Sequence, residues 1–219
     1  MLESGLEIGS RNDTLVCSNF RGYVKMLINI HSIIQKSRVN GPGERFVIWT
    51  QGCRKMCKGC YNPETWSHYR HDLISVDSLI KMVEESDCIG VTITGGDPFE
   101  QPKELLKLLE GLSGLDLPKG IIVFSCYSID EIRANETMSN CLDYLDVLID
   151  GRYMESERIY NGLAGSSNQN FHIFSDKISS NELNMDQEIE IHSLGELIQL
   201  TGFPLIDRNR LREKGIEIM

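Results

Sequence analysis

Between residues 45 and 149 short β-branched runs alternate with longer amphipathic stretches, and that alternation limits this chain to few folds. Arg45-Phe46-Val47-Ile48-Trp49-Thr50 reads as a strand from its aromatic and β-branched content. From Ser75 to Glu85 a helical spacing puts Val76, Leu79, Ile80 and Val83 on one face. Gly90–Thr94 is a second strand, and from Pro102 the residues Leu105, Leu106, Leu108, Leu109 and Leu112 form a broad apolar stripe on a second helix. Ile121–Phe124 is again a strand, Ser128 and Glu131 have capping-box spacing, and Asp146–Ile149 returns to strand. Strands alternating with helices predict an α/β fold of parallel β-α units with right-handed crossovers.

The flanks are less regular. Met26–Ile34 reads as an earlier strand, separated from Arg45 by the turn signal Gly41-Pro42-Gly43. Residues 1–25 form a polar arm with little periodicity. Gly162–Asn170 is a polar loop, and Glu188–His192 with Glu196–Thr201 predicts a hairpin turning near Ser193–Gly195. The tail, 207–219, is charged in its first half. Ligands of parallel sheets bind at the C-terminal ends of the strands. The cysteine loop after Thr50, Gly95-Gly96-Asp97 after Thr94, Ser125-Cys126-Tyr127 after Phe124, and Asp150-Gly151 after Ile149 should therefore share one edge.

A length of 219 residues suits one domain. The net charge of −10, from 22 basic and 32 acidic residues, argues against nucleic-acid binding, which needs Lys and Arg on phosphates. No apolar run reaches the ~20 residues of a membrane span, and Met1-Leu2-Glu3-Ser4 does not open a secretory signal. A cytoplasmic location without membrane contact is the expectation.

Of the seven cysteines, Cys53, Cys57 and Cys60 fall within eight residues, whereas Cys17, Cys88, Cys126 and Cys141 are scattered and expected to be inert. Without export signals a tight cluster reads as metal-binding or redox-active. Soft thiolates select zinc, copper(I) or iron–sulfur clusters. A zinc site would need a fourth ligand, for which His68 and His71 are candidates. A four-iron cube on three cysteines would keep one iron open, whereas electron-transfer clusters take four. Arg54, Lys55 and Lys58 would offset cluster charge, or are solvated surface charges.

The spacing Cys-x3-Cys-x2-Cys is the signature of the radical S-adenosylmethionine (SAM) superfamily. The flanks Gly41-Pro42-Gly43-Glu44-Arg45, Trp49-Thr50-Gln51-Gly52-Cys53 and Gly59-Cys60-Tyr61-Asn62-Pro63-Glu64-Thr65-Trp66 resemble the activating proteins of anaerobic ribonucleotide reductases. The resemblance covers residues 26–206. It implies a partial (β/α) barrel of the radical SAM type, mostly parallel, with a C-terminal β-hairpin. It also implies a [4Fe–4S] cluster on Cys53, Cys57 and Cys60, whose open iron chelates SAM and cleaves it reductively to a 5′-deoxyadenosyl radical.

The later motifs agree with the same family. Thr94-Gly95-Gly96-Asp97-Pro98 resembles its Gly-Gly-Glu-Pro segment, which implies that Gly95, Gly96 and Asp97 support the methionine part of SAM, with Asp in place of the more usual Glu. Ser125-Cys126-Tyr127 stands where relatives have Thr-Gly-Tyr near SAM, so Ser125 is expected as a hydroxyl contact. Asp146-Val147-Leu148-Ile149-Asp150-Gly151 resembles a family Asp-Val-Leu-Val-Asp-Gly segment, with Asp150 at the site and Asp146 solvated or capping. Gly165-Ser166-Ser167-Asn168-Gln169 matches a family loop, which brings Asn168 toward SAM or a partner. Tyr61, with Trp49 and Trp66, would shield the site. The implied partners are a glycyl-radical enzyme and an external one-electron reductant such as a flavodoxin or ferredoxin. A radical enzyme acting on a peptide or small molecule, and a non-catalytic iron–sulfur or zinc module, are the alternative readings.

Overall fold

The computed structural model describes residues 25–194 and 197–203. The expected arm, apart from Lys25, the expected tail and Cys17 lie outside the described residues. The fold is mixed α/β. Strands β1 (Leu27–Ser37), β2 (Arg45–Thr50), β3 (Asp72–Ser75), β4 (Gly90–Gly95), β5 (Ile121–Phe124), β6 (Val147–Asp150) and β7 (Asn170–Ile173) form a seven-stranded sheet in the order β3-β1-β2-β4-β5-β6-β7. The central strands β2, β4, β5 and β6 run parallel, as the alternation predicts, and neighbour one another in that order. Strands β8 (Ile189–Leu194) and β9 (Leu197–Gly202) pair as the expected C-terminal hairpin.

The edges depart from the parallel expectation. Strand β1 pairs antiparallel with β2, β3 with β1, and β7 with β6. A parallel crossover takes a dozen or more residues, and residues 38–44 are too few to make one. The short edge strands β3 and β7 escaped the sequence reading because each spans only four residues, with side chains that are largely exposed.

Helices α1 (Val76–Glu84) and α2 (Pro102–Ser113) pack together on one face of the sheet. Ser75 caps α1 by accepting from Ser78 N at 3.1 Å. The expected capping box of Ser128 and Glu131 opens α3 (Ile129–Arg133). A further helix, α4 (Glu136–Cys141), packs on α2, and α5 (Ser180–Leu183) follows later. Strand alternation divides the core. Ile121 and Val123 of β5 join the helix-covered face, while Ile122 packs on the other face with Val147, Ile149 and Leu163. Burying such a side chain contributes roughly 1.5–3 kcal/mol, so the two faces together hold the sheet.

Candidate functional site

The ends of β2, β4, β5 and β6 lie side by side, and the three clustered cysteines meet Gly95, Gly96, Ser125 and Cys126 around one cavity of about 120 Å³. The cysteine loop leaves β2 and is tied down at several points. Gly52 N donates to Thr65 O at 2.7 Å, Cys53 N to Trp66 O at 3.1 Å, and Asp97 N to Gly52 O at 2.8 Å. Glu100 accepts from Arg54 N at 3.2 Å and from the Tyr127 hydroxyl at 2.8 Å, so it joins the loop to the end of β5. Met56 has φ 41°, a left-handed turn inside the loop that costs a non-glycine residue strain.

The glycines at the end of β4 serve the chain before any ligand. A Cβ on Gly95 would stand 2.5 Å from Thr50 N, and one on Gly96 would stand 2.3 Å from Gly52 O. Both glycines are needed for the cysteine loop to lie against the neighbouring strand end. Both also line the cavity.

Asp97 stands elsewhere than the sequence expectation put it. Its side chain is fully buried and accepts from Phe99 N at 3.0 Å, Cys126 N at 2.7 Å and the Ser125 hydroxyl at 3.1 Å. It is absent from the cavity lining, and burial pushes its pKa up to about 7. Through these bonds it positions the end of β5. Asp150, 1% exposed, likewise turns inward: it accepts from Ile129 N at 2.5 Å and Asn170 Nδ2 at 3.0 Å, with His172 Nε2 at 3.1 Å. Asn168 Nδ2 donates to Arg152 O at 2.8 Å, and its side chain does not reach the cavity. Asp146, read as solvated or capping, is 7% exposed and accepts from Ile121 N and the Ser175 hydroxyl.

Tyr61 and Ser125 do line the cavity, as do Trp49 and Trp66. The Tyr61 hydroxyl and Trp66 Nε1 are buried without a hydrogen-bond partner. Such atoms carry a desolvation cost that a ligand in the cavity would relieve. Phe203, just after the hairpin, packs edge-on to Tyr61 and closes one wall.

Two site residues went unrecognised in the sequence. The first is Arg152, two residues past the end of β6. Its Nη2 donates to Lys55 O at 2.8 Å within the cysteine loop, and after the neighbouring Cys126 thiol, the larger influence, Arg152 helps hold the Cys57 pKa down to about 6. By contrast Arg54 pairs with Glu100 at 3.1 Å, Lys55 with Glu131 at 2.8 Å and Lys58 with Glu155 at 3.5 Å, so the loop's own cations are already engaged. The second is Cys126, whose sulfur lies 4.0 Å from that of Cys57. The nearby Cys126 thiol also brings the Cys53 pKa down to about 6 against burial. Thiolate is the form that binds metals. Burial pushes the Cys88 and Cys141 pKa values up, Cys141 to about 12; Cys60 is also raised by burial and Cys126 chiefly by its thiol neighbours, so what sets Cys126 apart is its place beside Cys57 on the cavity.

The donor set suits an iron–sulfur cluster. Four thiols line one cavity, and soft thiolates are the ligands such clusters take. The histidines that would complete a zinc site are engaged elsewhere, His68 with Glu100 at 3.3 Å and His71 against the His31 ring.

Residues 39–172 match the family described as a 4Fe–4S single cluster domain. This chain belongs to that family. It is also 31% identical over 156 residues to the anaerobic ribonucleoside-triphosphate reductase-activating protein of Vibrio cholerae serotype O1, covering 67% of this chain and 99% of the relative. The protein of the same name from Enterobacteria phage T4 is 32% identical over 136 residues, 60% of this chain and 85% of the relative. That from Escherichia coli strain K12 is 30% identical over 153 residues, 66% and 98% respectively. The chain is thus a member of the reductase-activating protein family. Among the described residues, no helix is long and apolar enough to cross a membrane.

Proposed function

We propose that this protein is a radical SAM activase that installs a glycyl radical on a partner enzyme, an anaerobic ribonucleoside-triphosphate reductase. The observation that carries this reading is the convergence of Cys53, Cys57 and Cys60 on one cavity at the C-terminal edge of the parallel strands, in a member of that family. The sheet is read as the open part of a (β/α) barrel within a domain spanning 26–206. The setting is cytoplasmic, and a flavodoxin- or ferredoxin-like donor supplies electrons.

Cys53, Cys57 and Cys60 would hold the cluster, and Arg152 offsets its negative charge from beside Cys57. When bound, the cluster and SAM supply a one-electron cleavage that yields methionine and a 5′-deoxyadenosyl radical able to abstract hydrogen. Gly95, Gly96 and Ser125 edge the space beside the cysteines where SAM would lie, and Tyr61 offers an unpartnered hydroxyl there. Trp49, Trp66, Tyr61 and Phe203 wall the cavity and limit solvent access to it. Asp97 acts at one remove, by fixing the backbone of Ser125 and Cys126.

After anaerobic reconstitution the protein should carry iron and sulfide, and reduction with SAM should release 5′-deoxyadenosine. With the partner reductase, a glycyl-radical doublet should appear in electron paramagnetic resonance (EPR). An intact reduced cluster that leaves SAM uncleaved would remove this reading. One observation favours a second reading, an electron-transferring cluster: Cys126 brings a fourth thiol to the cavity, and four cysteines are the usual electron-transfer set. The same assay separates the two.

A further inference from the structure

Cys126 differs in kind from the other cysteines outside the cluster loop. The Cys88 thiol donates to Gln35 O at 2.8 Å, and Cys141 lies within 3.8 Å of Pro102 O and 3.5 Å of Thr137 O, so both are spent on backbone carbonyls. Cys126 has another thiol for its partner, Cys57 at 4.0 Å, and lines one cavity with Cys53 and Cys60. Its place is built. Asp97 holds the Cys126 amide at 2.7 Å and the adjoining Ser125 hydroxyl at 3.1 and 3.2 Å, and Ser125 in turn accepts from Tyr127 N at 3.0 Å. This buried carboxylate therefore fixes the turn that presents the fourth sulfur to the cavity. The Tyr61 hydroxyl and Trp66 Nε1, without a hydrogen-bond partner on the same cavity, offer further polar groups to a ligand there.

We propose that Cys126 is a labile fourth thiolate ligand of the cluster, bound to the iron that Cys53, Cys57 and Cys60 leave open and displaced when SAM binds. The inference rests on the proposed function and deepens it. A thiolate is a good donor to iron, and a cube with an unprotected corner is prone to lose that iron. The exchange is redox-neutral. The bond from iron to the Cys126 sulfur breaks, and bonds to the amino nitrogen and carboxylate oxygen of SAM form. The proton leaving the SAM ammonium group goes to the released thiolate. The cap thus protects the resting protein and competes with SAM, so it sets how much SAM is needed to open the site.

The test compares anaerobically reconstituted full-length protein with its Cys126→Ala and Cys126→Ser variants, matched for iron content and for melting temperature of the apoprotein. Iron-57 Mössbauer spectra of the unmodified protein should show one distinct iron subsite only after SAM is added. In Cys126→Ala that subsite should be present before SAM. Mild ferricyanide oxidation should then produce more of the three-iron EPR signal from Cys126→Ala than from the unmodified protein, with Cys126→Ser between them. SAM should bind Cys126→Ala more tightly, by about tenfold if nine clusters in ten are capped. Equal three-iron yields and equal SAM affinity in all three proteins would overturn the cap while leaving the activase reading intact. A four-thiolate spectrum that SAM fails to alter would instead keep Cys126 as a ligand but overturn its displacement by SAM and the activase reading with it.

Discussion

The two ends of the parallel strands bury polar groups to opposite purposes. At the end where β2 begins, Arg45 is fully buried, and every one of its nitrogens is answered: Nε donates to Thr92 Oγ1 at 2.7 Å, Nη1 to the carbonyls of Pro42 and Lys119, and Nη2 to those of Val91 and Gly120. Asp146 at the same end is equally engaged. At the C-terminal end the thiols meet mainly each other, and the Tyr61 hydroxyl and Trp66 Nε1 have no partner. Buried polarity alone therefore does not mark a site. What separates the two ends is that the C-terminal one, beside carboxylates the chain satisfies such as Asp97 and Asp150, also keeps the Tyr61 hydroxyl and Trp66 Nε1 that it leaves unpaired.

The comparison breaks if the ends respond alike to substitution. The largest effect is expected at the cysteines. Cys57→Ala should abolish cluster assembly, read as loss of bound iron and of the visible charge-transfer absorbance, while the apoprotein keeps its unfolding midpoint. Arg45→Met should do the reverse, leaving buried carbonyls unpaired at a cost of about 3–5 kcal/mol in urea unfolding of the apoprotein. Molecules that remain folded should still take up a full complement of iron. If Arg45→Met abolished uptake at unchanged stability, the division of labour would be wrong.

Gly96→Ala sharpens the same contrast from the site side, because its new Cβ would meet Gly52 O. The expected cost is about 1–3 kcal/mol, with the cysteine loop displaced and cluster retention reduced on desalting. Unchanged retention would mean that the loop reaches its place without this approach. The smallest effect is expected for Glu182→Gln, which removes the ion pair with Lys119 at the Arg45 end. Lys119 and Ser179 hold the Glu182 pKa down to about 2. A lowered folded pKa stabilises above the ordinary carboxylate range and is lost as pH falls toward 2, so the variant and parent should converge in acid. Solvent screening keeps the difference at neutral pH below about 1 kcal/mol in paired unfolding curves.

The sequence alone was enough for strands β2, β4, β5 and β6, for their parallel direction and for both main helices, because local apolar period, capping chemistry and the alternation of elements set them. Three of the site's thiols were legible too, since they lie on one loop and carry a family spacing. The antiparallel edges, the roles of Asp97 and Asp150, and the membership of Arg152 and Cys126 were decided by tertiary structure. Each depends on which strand end lies beside which, across about 30 residues of chain for Asp97 with Cys126 and nearly 100 for Arg152 with Cys57. A carboxylate after a strand looks the same in sequence whether it faces a ligand or a neighbour's amide. Only the packed sheet shows that Asp97 is occupied by the backbone and that the thiol it places is left facing the cavity.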